Sequence, residues 1–314
     1  MILQSIRNSF ERAFAIPPTF IVRAPGRINL IGEHTDYNNG FVFPAAIDKY
    51  VYLAFAANKL SDGTRIFAKD LIKSVSIELD QLEKSVEAWE NFLIGILLQF
   101  QEKGYSLKNF NCLIQSTIPI GAGMSSSSAL ECGFAKGIAQ LHNIELNNWE
   151  ILEMSHQSNH QFLGIKGGIM DQFSLLFGKK DQAMILDCKD RSYEHVPIDM
   201  EDHQWVLINT QVKHENLTSG YGDRVAECKE AAKLLGVESL REAKLLDLEN
   251  KKESLSEIVC NRARFVISEN ERVHTFAQAM KEGDYTTLGN LLYDSHDGLQ
   301  KLYEVSCEEL DLLV

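Results

Sequence analysis

Apolar positions along this chain recur in two periods. Leu3, Ile6, Phe10 and Phe14 fall three or four apart, which predicts an opening amphipathic helix. Phe20 to Ala24 is short and rich in β-formers. Phe41 to Ala57 alternates, with Val42, Val51, Tyr52 and Phe55, and predicts strands around a bend at Pro44. Arg65 to Ala68, Val75 to Leu79 and Phe110 to Ser116 read as further strands. Glu90 to Gln101 is helical, with Phe92, Ile96, Leu97 and Phe100 on one face. Helices are expected from about Ser126 to Leu141 and from Trp149 to Leu163. Ala183 to Asp187 and Trp205 to Asn209 are strand-like. The period then turns mainly helical, over Ser219–Leu235, Ser254–Lys281 and Tyr285–Leu302. The class is α+β. A boundary is expected between Arg191 and Asp202, where Pro197 sits among polar residues, dividing the chain into 1–190 and 191–314. There is no internal repeat and no low-complexity linker.

Composition narrows the function classes. A chain of 314 residues, 45% apolar, suits one large domain or two ordinary ones with a packed core. A net charge of −13 argues against a nucleic-acid surface, which needs clustered Lys and Arg. No apolar run reaches the ~18 residues of a membrane span. The start, Met1-Ile-Leu-Gln-Ser-Ile-Arg, lacks the basic region, apolar stretch and cleavage site of a secretion signal. Cys112, Cys132, Cys188, Cys228, Cys260 and Cys307 form no Cys-x-x-Cys pair and read as reduced, mostly buried thiols of a cytoplasmic protein. His156 and His160 sit four apart on an expected helix, without the intervening acid that would suggest a metal site.

Two segments carry chemistry. Ala24 to Gly40 packs Arg27, Glu33, His34 and Asp36 among Gly26, Gly32 and Gly40, with Ile28, Leu30 and Ile31 between them. It is too polar for a core strand and too apolar for an ordinary loop. Buried charges need partners, and a polyhydroxylated ligand would supply them. A solvated turn with scattered charges is the plainer alternative. Further on, Gly121, Ala122, Gly123, Met124, Ser125, Ser126 and Ser127 precede a helix. Glycines let backbone approach a ligand, and the unpaired N–H groups of a helix start attract anions. The ending Gly-Lys-Ser/Thr of a Walker loop is absent. Taken alone, this loop reads equally well as a Gly/Ser turn with a serine cap.

The Ala24–Gly40 segment resembles the first motif of the galactokinases, a branch of the GHMP small-molecule kinases. Pro119 to Leu130 resembles that family's phosphate loop, and Gly168-Ile-Met-Asp-Gln-Phe173 the segment bearing its catalytic aspartate. The resemblance spans nearly the whole chain. It implies a two-domain GHMP kinase fold with the active site in the interdomain cleft, residues 1–190 binding nucleotide and sugar, and ATP and Mg²⁺ as cofactors. It implies a cytoplasmic enzyme that phosphorylates the anomeric hydroxyl of D-galactose. Asp171 would be the base and Arg27 its charge partner. Asp36 would take the 3- and 4-hydroxyls, Glu33 and His34 the 6-hydroxyl. Thr35, Gly168 and Tyr221 would complete the pocket. Gly121 to Ser127 would cradle phosphate, with Ser127 on the metal. Trp89 would approach adenine, or serve as a core aromatic.

The chain departs from the family pattern in three places. Asn159 stands where the family has a metal-holding Glu, so weaker Mg²⁺ binding is expected, or metal held mainly by Ser127, waters and ATP. Gly222 replaces an Asn after Tyr221. The glycine-rich third motif is not reached before Val314, so the second domain is expected to be truncated and prone to self-association. A kinase for another sugar such as N-acetylgalactosamine, and a non-catalytic sensor of galactose and ATP, are the alternatives.

Overall fold

A computed structural model describes residues 2–59, 63–212 and 217–314, with 217–219 as backbone only. In chain order the elements are α1 (Ile2–Phe14), β1 (Phe20–Asn29), β2 (Phe41–Val42), β3 (Pro44–Ala57), β4 (Thr64–Ala68), β5 (Lys73–Ile77), α2 (Ala88–Glu102), β6 (Phe110–Ser116), α3 (Ser126–Leu141), α4 (Asn148–Gln157), α5 (Met170–Phe177), β7 (Gln182–Asp187), β8 (Tyr193–Pro197), α6 (Leu217–Leu235), α7 (Leu245–Lys251), α8 (Glu257–Glu282), α9 (Tyr285–Gly298) and α10 (Glu308–Leu313). Wide π-type turns, Ser158–Leu163 and Leu299–Tyr303, continue α4 and α9. Such turns are uncommon and concentrate at functional sites.

The chain packs as two compact units built from interleaved segments. Met1–Arg27, Ile47–Ile165 and Asp171–Phe177 form the first; Ile28–Ala46, Lys166–Met170 and Gly178–Val314 form the second. The contiguous division expected near residue 190 gives way to this one. Segment Ile28–Ala46 belongs with the later chain because side chains of α8 hold its backbone, as described below.

In the first unit, β3 pairs antiparallel with β6 from Val51↔Ser116 to Ala57↔Phe110. Strand β4 runs parallel to β6, and β5 closes the edge against β4. The apolar run Val51–Ala56 is buried throughout because both faces are covered. Val51, Leu53 and Phe55 pack with Phe100, Phe134 and Ile138 of α2 and α3. Tyr52, Ala54 and Ala56 meet Ile6 and Phe10 of α1. Adjacent residues thus face opposite layers, as the period of two requires. Gly137 is needed on α3, since a Cβ there would sit 2.1 Å from the Phe55 ring.

In the second unit, β7 pairs β8 as a hairpin from Gln182↔Pro197 to Leu186↔Tyr193, and β2 pairs β7. Helix α8 starts at a Ser256 cap, whose side chain accepts from the Val259 N–H, and stops at left-handed Gly283. One stretch of α8 (Val259, Ala263, Val266) packs with α6 and Tyr303. Its later turns (Val273, Phe276, Met280) pack with Phe43, Ala183 and Val196.

Strand β8 lies in the stretch expected as a boundary; only Val196 of it is buried, so its polar residues concealed it. Trp205 to Asn209 is irregular rather than a strand. Val206, Leu207 and Ile208 are exposed, and among the described residues no strand pairs with them. High β-propensity does not make a strand without a neighbour to take its N–H and C=O groups. All six cysteines are free, and five are buried. Among the described residues, no helix is long and apolar enough to cross a membrane.

Candidate active site

Within the first unit, one arginine joins two of the expected motifs. Arg27 lies near the end of β1, and Asp171 in the first turn of α5. The Arg27 Nε donates to Asp171 Oδ1 at 2.8 Å, and Nη2 lies 2.6 Å from the same oxygen. Arg27 Nη1 donates to the Gly123 carbonyl at 2.6 Å, and the Arg27 N–H to the Met124 carbonyl at 3.2 Å. A guanidinium can do this because its donors are fixed in one plane. Asp171 is 31% exposed at its side chain, and among the described residues its Oδ2 accepts no hydrogen bond. That oxygen is open to a reacting group. Gly26 lets the loop approach: a Cβ there would meet the Met124 carbonyl at 2.9 Å.

The loop itself has anion-binding geometry. Gly121, Gly123 and Ser125 are left-handed, with φ of 73°, 70° and 56°. Left-handed residues spaced this way occur in backbone nests. The Ser125 side chain makes no cap hydrogen bond to α3, which leaves the first N–H groups of the helix without that partner. Among the described residues the buried Ser125 hydroxyl has no partner, the kind of orphan that a ligand satisfies. Ala122 and Met124 separate these residues, and Ser126 and Ser127 open the helix. Trp89, at the start of α2, packs against the core of this unit while its buried indole N–H has no partner among the described residues. A core role therefore does not exhaust it.

Behind the loop, Glu131 of α3 is fully buried. Its Oε2 accepts from the Ser155 hydroxyl at 2.8 Å and from Asn159 Nδ2 at 2.9 Å, and Oε1 from the Ser158 hydroxyl at 3.4 Å. Burial pushes Glu131 up to about 8 in spite of these donors, with the Asp171 charge adding to the rise. The Asn159 Nδ2 also donates to the Ser155 carbonyl at 3.0 Å. The amide nitrogen is thus committed, and the Oδ1 atom is what Asn159 can offer a cation. Among the described residues, no three His, Cys, Asp or Glu side chains cluster as a metal site.

Within the second unit, the segment Gly32 to Gly40 makes a tight polar turn. Asp36 packs its carboxylate on Gly168, where a Cβ would fall 2.4 Å from Asp36 Oδ2. Asn29 Nδ2 donates to Glu33 Oε1 at 3.0 Å. His34 is left-handed at φ 61°, unusual for a non-glycine residue and typical of constrained sites. Its ring stands 6.2 Å from that of Tyr221 on α6, and the Tyr37 and Tyr221 rings are 5.0 Å apart. Desolvation, with help from the Arg224 charge, lowers His34 to about 4, so it is neutral at pH 7. Thr35 is fully buried, and its hydroxyl lies on the carbonyls of Gly32 (2.8 Å) and Phe41 (2.6 Å). Its side chain shapes the turn.

Two residues that the pattern of α8 hides hold this turn. Glu269, fully buried, accepts from the N–H groups of Gly32 (2.9 Å) and Glu33 (3.1 Å) and from the Ser295 hydroxyl (2.8 Å), with Arg272 as its ion-pair partner at 2.7 Å. Asn270 Oδ1 accepts from the Phe41 N–H at 2.9 Å. The only sequence signal is polar residues on an otherwise core-facing stripe, which their distance from the turn along the chain makes easy to pass over.

Comparison with known proteins gives these residues a context. A family model described as the galactokinase galactose-binding signature matches residues 8–57, and one for the GHMP kinases N terminal domain matches residues 91–179. A galactokinase from Thermotoga petrophila is 41% identical over 293 residues, covering 93% of this chain and 81% of that one. One from Roseiflexus sp. (strain RS-1) is 37% identical over 314 residues, covering 98% and 80%. A crystal structure of Lactococcus lactis galactokinase complexed with galactose superposes with a TM-score of 0.93 at 31% identity, covering 100% of this chain and 83% of that one. The mevalonate kinase of Methanococcus jannaschii, at 19% identity and a TM-score of 0.62 over 94% and 82% of the chains, shares the fold alone.

Proposed function

Because this chain belongs to the galactokinase family, we propose that it transfers the γ-phosphoryl group of ATP to the anomeric hydroxyl of D-galactose. The products are galactose 1-phosphate and ADP. The observation that carries this reading is the link Gly123–Arg27–Asp171, which ties a phosphate-cradling loop to a carboxylate with one open oxygen. The acceptor oxygen attacks the γ-phosphorus as the bond to the β-phosphate oxygen breaks. Its proton passes to Asp171 Oδ2, while Arg27 keeps Oδ1 and the loop in place. The N–H groups of residues 123–127 and the Ser125 hydroxyl receive phosphate oxygens, and the Trp89 N–H is a donor for the base.

The second unit presents the sugar site. Glu33 and Asp36 accept from hydroxyls, and Asp36 is aimed by its seat on Gly168. A site that must hydrogen-bond an axial 4-hydroxyl rejects the equatorial epimer strongly. His34 and Tyr221 wall the sugar ring.

The donor set suits Mg²⁺ held mainly by the nucleotide. Mg²⁺ characteristically keeps waters and phosphate oxygens and takes few protein ligands. Ser127 and the Asn159 oxygen would hold it here, and it would neutralise charge on the transferring phosphoryl group.

The test is ADP release with Mg-ATP and galactose, glucose or N-acetylgalactosamine, with NMR of the product to identify the phosphorylated carbon. Turnover with galactose at the anomeric position is expected. The Asp171→Asn protein is expected to lose at least about 100-fold in kcat while galactose affinity is retained. Galactose binding without turnover in the unsubstituted chain would overturn the kinase reading and leave a sensor.

A further inference from the structure

The His34 ring is the first member of a buried hydrogen-bonded chain that the phosphoryl transfer does not use. His34 Nδ1 is 2.9 Å from the Tyr37 hydroxyl. That hydroxyl is 2.7 Å from the Tyr303 hydroxyl, which is 3.2 Å from the Cys228 thiol. Tyr303 is fully buried and Cys228 nearly so. All four residues belong to the second unit, and the chain runs into the α6–α8 core, where the Cys228 sulfur also accepts from the buried Asn38 side chain.

Tyr303 is set there with care. It is the last residue of the π-type turn Leu299–Tyr303. Arg224 Nε donates to its carbonyl at 2.8 Å, and Arg262 donates to the carbonyl of Leu302. Arg262, itself almost fully buried, is held by Glu227 at 3.0 Å and Glu304 at 2.5 Å. Two arginines thus fix the backbone on which one phenol hangs.

We propose that Tyr37 and Tyr303 are positioning residues that fix the tautomer of His34, leaving its Nε2 as the proton-bearing nitrogen that faces the sugar. This rests on the reading of His34 as a contact to the sugar 6-hydroxyl. A neutral imidazole carries one proton, and the partner of one nitrogen decides which atom has it. Each phenol has a single proton to give, so the chain must run in one direction from end to end. A phenol is a good donor and an imidazole nitrogen a good acceptor, whereas sulfur is a weak acceptor. The favoured order therefore starts at the thiol: Cys228 donates to Tyr303, Tyr303 to Tyr37, and Tyr37 to His34 Nδ1. The reverse order would end on sulfur and leave Nε2 as an acceptor.

The direction matters because of what stands beside His34. Glu33 and Asp36 are carboxylates and can only accept. A hydroxyl that gives its proton to Glu33 still has oxygen lone pairs to satisfy. His34 with a proton on Nε2 supplies that donor; the other tautomer would present, beside Glu33, a second acceptor to a hydroxyl with one proton. The relay thus makes the pocket ask for a group that is donor and acceptor at once, which the 6-hydroxyl is and a 6-methyl group is not.

The test uses the whole 314-residue chain with ¹⁵N-labelled histidine. In the ligand-free protein, two-dimensional ¹H–¹⁵N spectra of the His34 ring are expected to show the proton on Nε2, and Tyr37→Phe to show a mixture of tautomers. Calorimetry is expected to show Tyr37→Phe weakening galactose by roughly 3–10-fold while leaving 6-deoxygalactose unchanged, the scale of one hydrogen bond. Tyr303→Phe should give a smaller effect of the same pattern. A proton on Nδ1 in the unsubstituted chain, or equal weakening of both sugars in Tyr37→Phe, would overturn the relay. His34→Ala separates the two readings: if it fails to narrow the gap between galactose and 6-deoxygalactose, the assignment of His34 to the 6-hydroxyl falls, and the relay with it. If it narrows the gap and Tyr37→Phe does not, only the relay falls.

Discussion

At the scale of single residues, the candidate site is a set of side chains placed by absences as much as by contacts. Gly168 has no Cβ, and that gap is where Asp36 rests its carboxylate. Gly168→Ala is expected to push Asp36 aside and weaken galactose by at least about tenfold in calorimetry, with a much smaller effect on nucleotide binding. Unchanged galactose affinity would mean that Asp36 does not depend on this seat. Glu131 makes a second prediction. Its folded value is raised from 4.5 to about 8, so the folded state holds a proton that the unfolded state releases. Its contribution is fully present below pH 4.5 and is lost as pH rises towards 8. Glu131→Gln cannot titrate, so its Tm relative to the unsubstituted chain should rise steadily between pH 5 and pH 8. A difference that stays flat with pH would show that Glu131 keeps an ordinary value.

At the scale of elements, α8 is the support of the Gly32–Gly40 turn. Both backbone N–H groups at Gly32 and Glu33 end on one buried carboxylate, Glu269, which is paired with Arg272. Removing one partner of a buried ion pair leaves a buried charge and unsatisfied donors, a loss on the order of 3–5 kcal/mol. Glu269→Ala should show that loss in urea unfolding and weaken galactose as well. Unfolding unchanged within about 0.5 kcal/mol would place Glu269 outside the supporting structure. The elements were unevenly readable beforehand. Helices α2, α3 and α8 carry clear apolar stripes, and α8 also a serine cap and a glycine stop, so their existence followed from spacing. Strand β8 did not, because Val196 is its only buried residue, and Trp205–Asn209 misled because β-branched residues were present without a pairing partner.

At the scale of the whole molecule, the proposed donor and acceptor residues divide between the two compact units. Arg27 ends a segment of the first unit and Asp171 begins another, while Asp36 and Gly168 belong to the second. Ligands that bind the folded state protect the segments they touch. Hydrogen exchange with galactose alone should slow mainly at 32–41 and 166–170, and exchange with a non-hydrolysable ATP analogue mainly at 119–130. Galactose protection confined to 119–130 would contradict this division of labour.

The sequence by itself determined the family, the order of the motifs, the loop that precedes α3 and the residues of the Gly32–Gly40 turn. These are local: glycines, a helix start and clustered charges leave their mark within a dozen residues. Tertiary structure decided which groups meet. The pairing of Arg27 with Asp171, separated by 144 positions, was a candidate on chemical grounds, but only the fold brings them to 2.8 Å. Thr35 stands among the candidate contacts in sequence, and the fold buries its side chain in the turn. Glu269 and Asn270 showed only as polar residues on a core-facing stripe, and Tyr303 carried no local sign of its work, because a polar residue on a helix acquires its meaning from what packs against it. Periodicity says which face of an element is buried. It does not say which buried carboxylate will find two backbone N–H groups from a turn more than two hundred residues away.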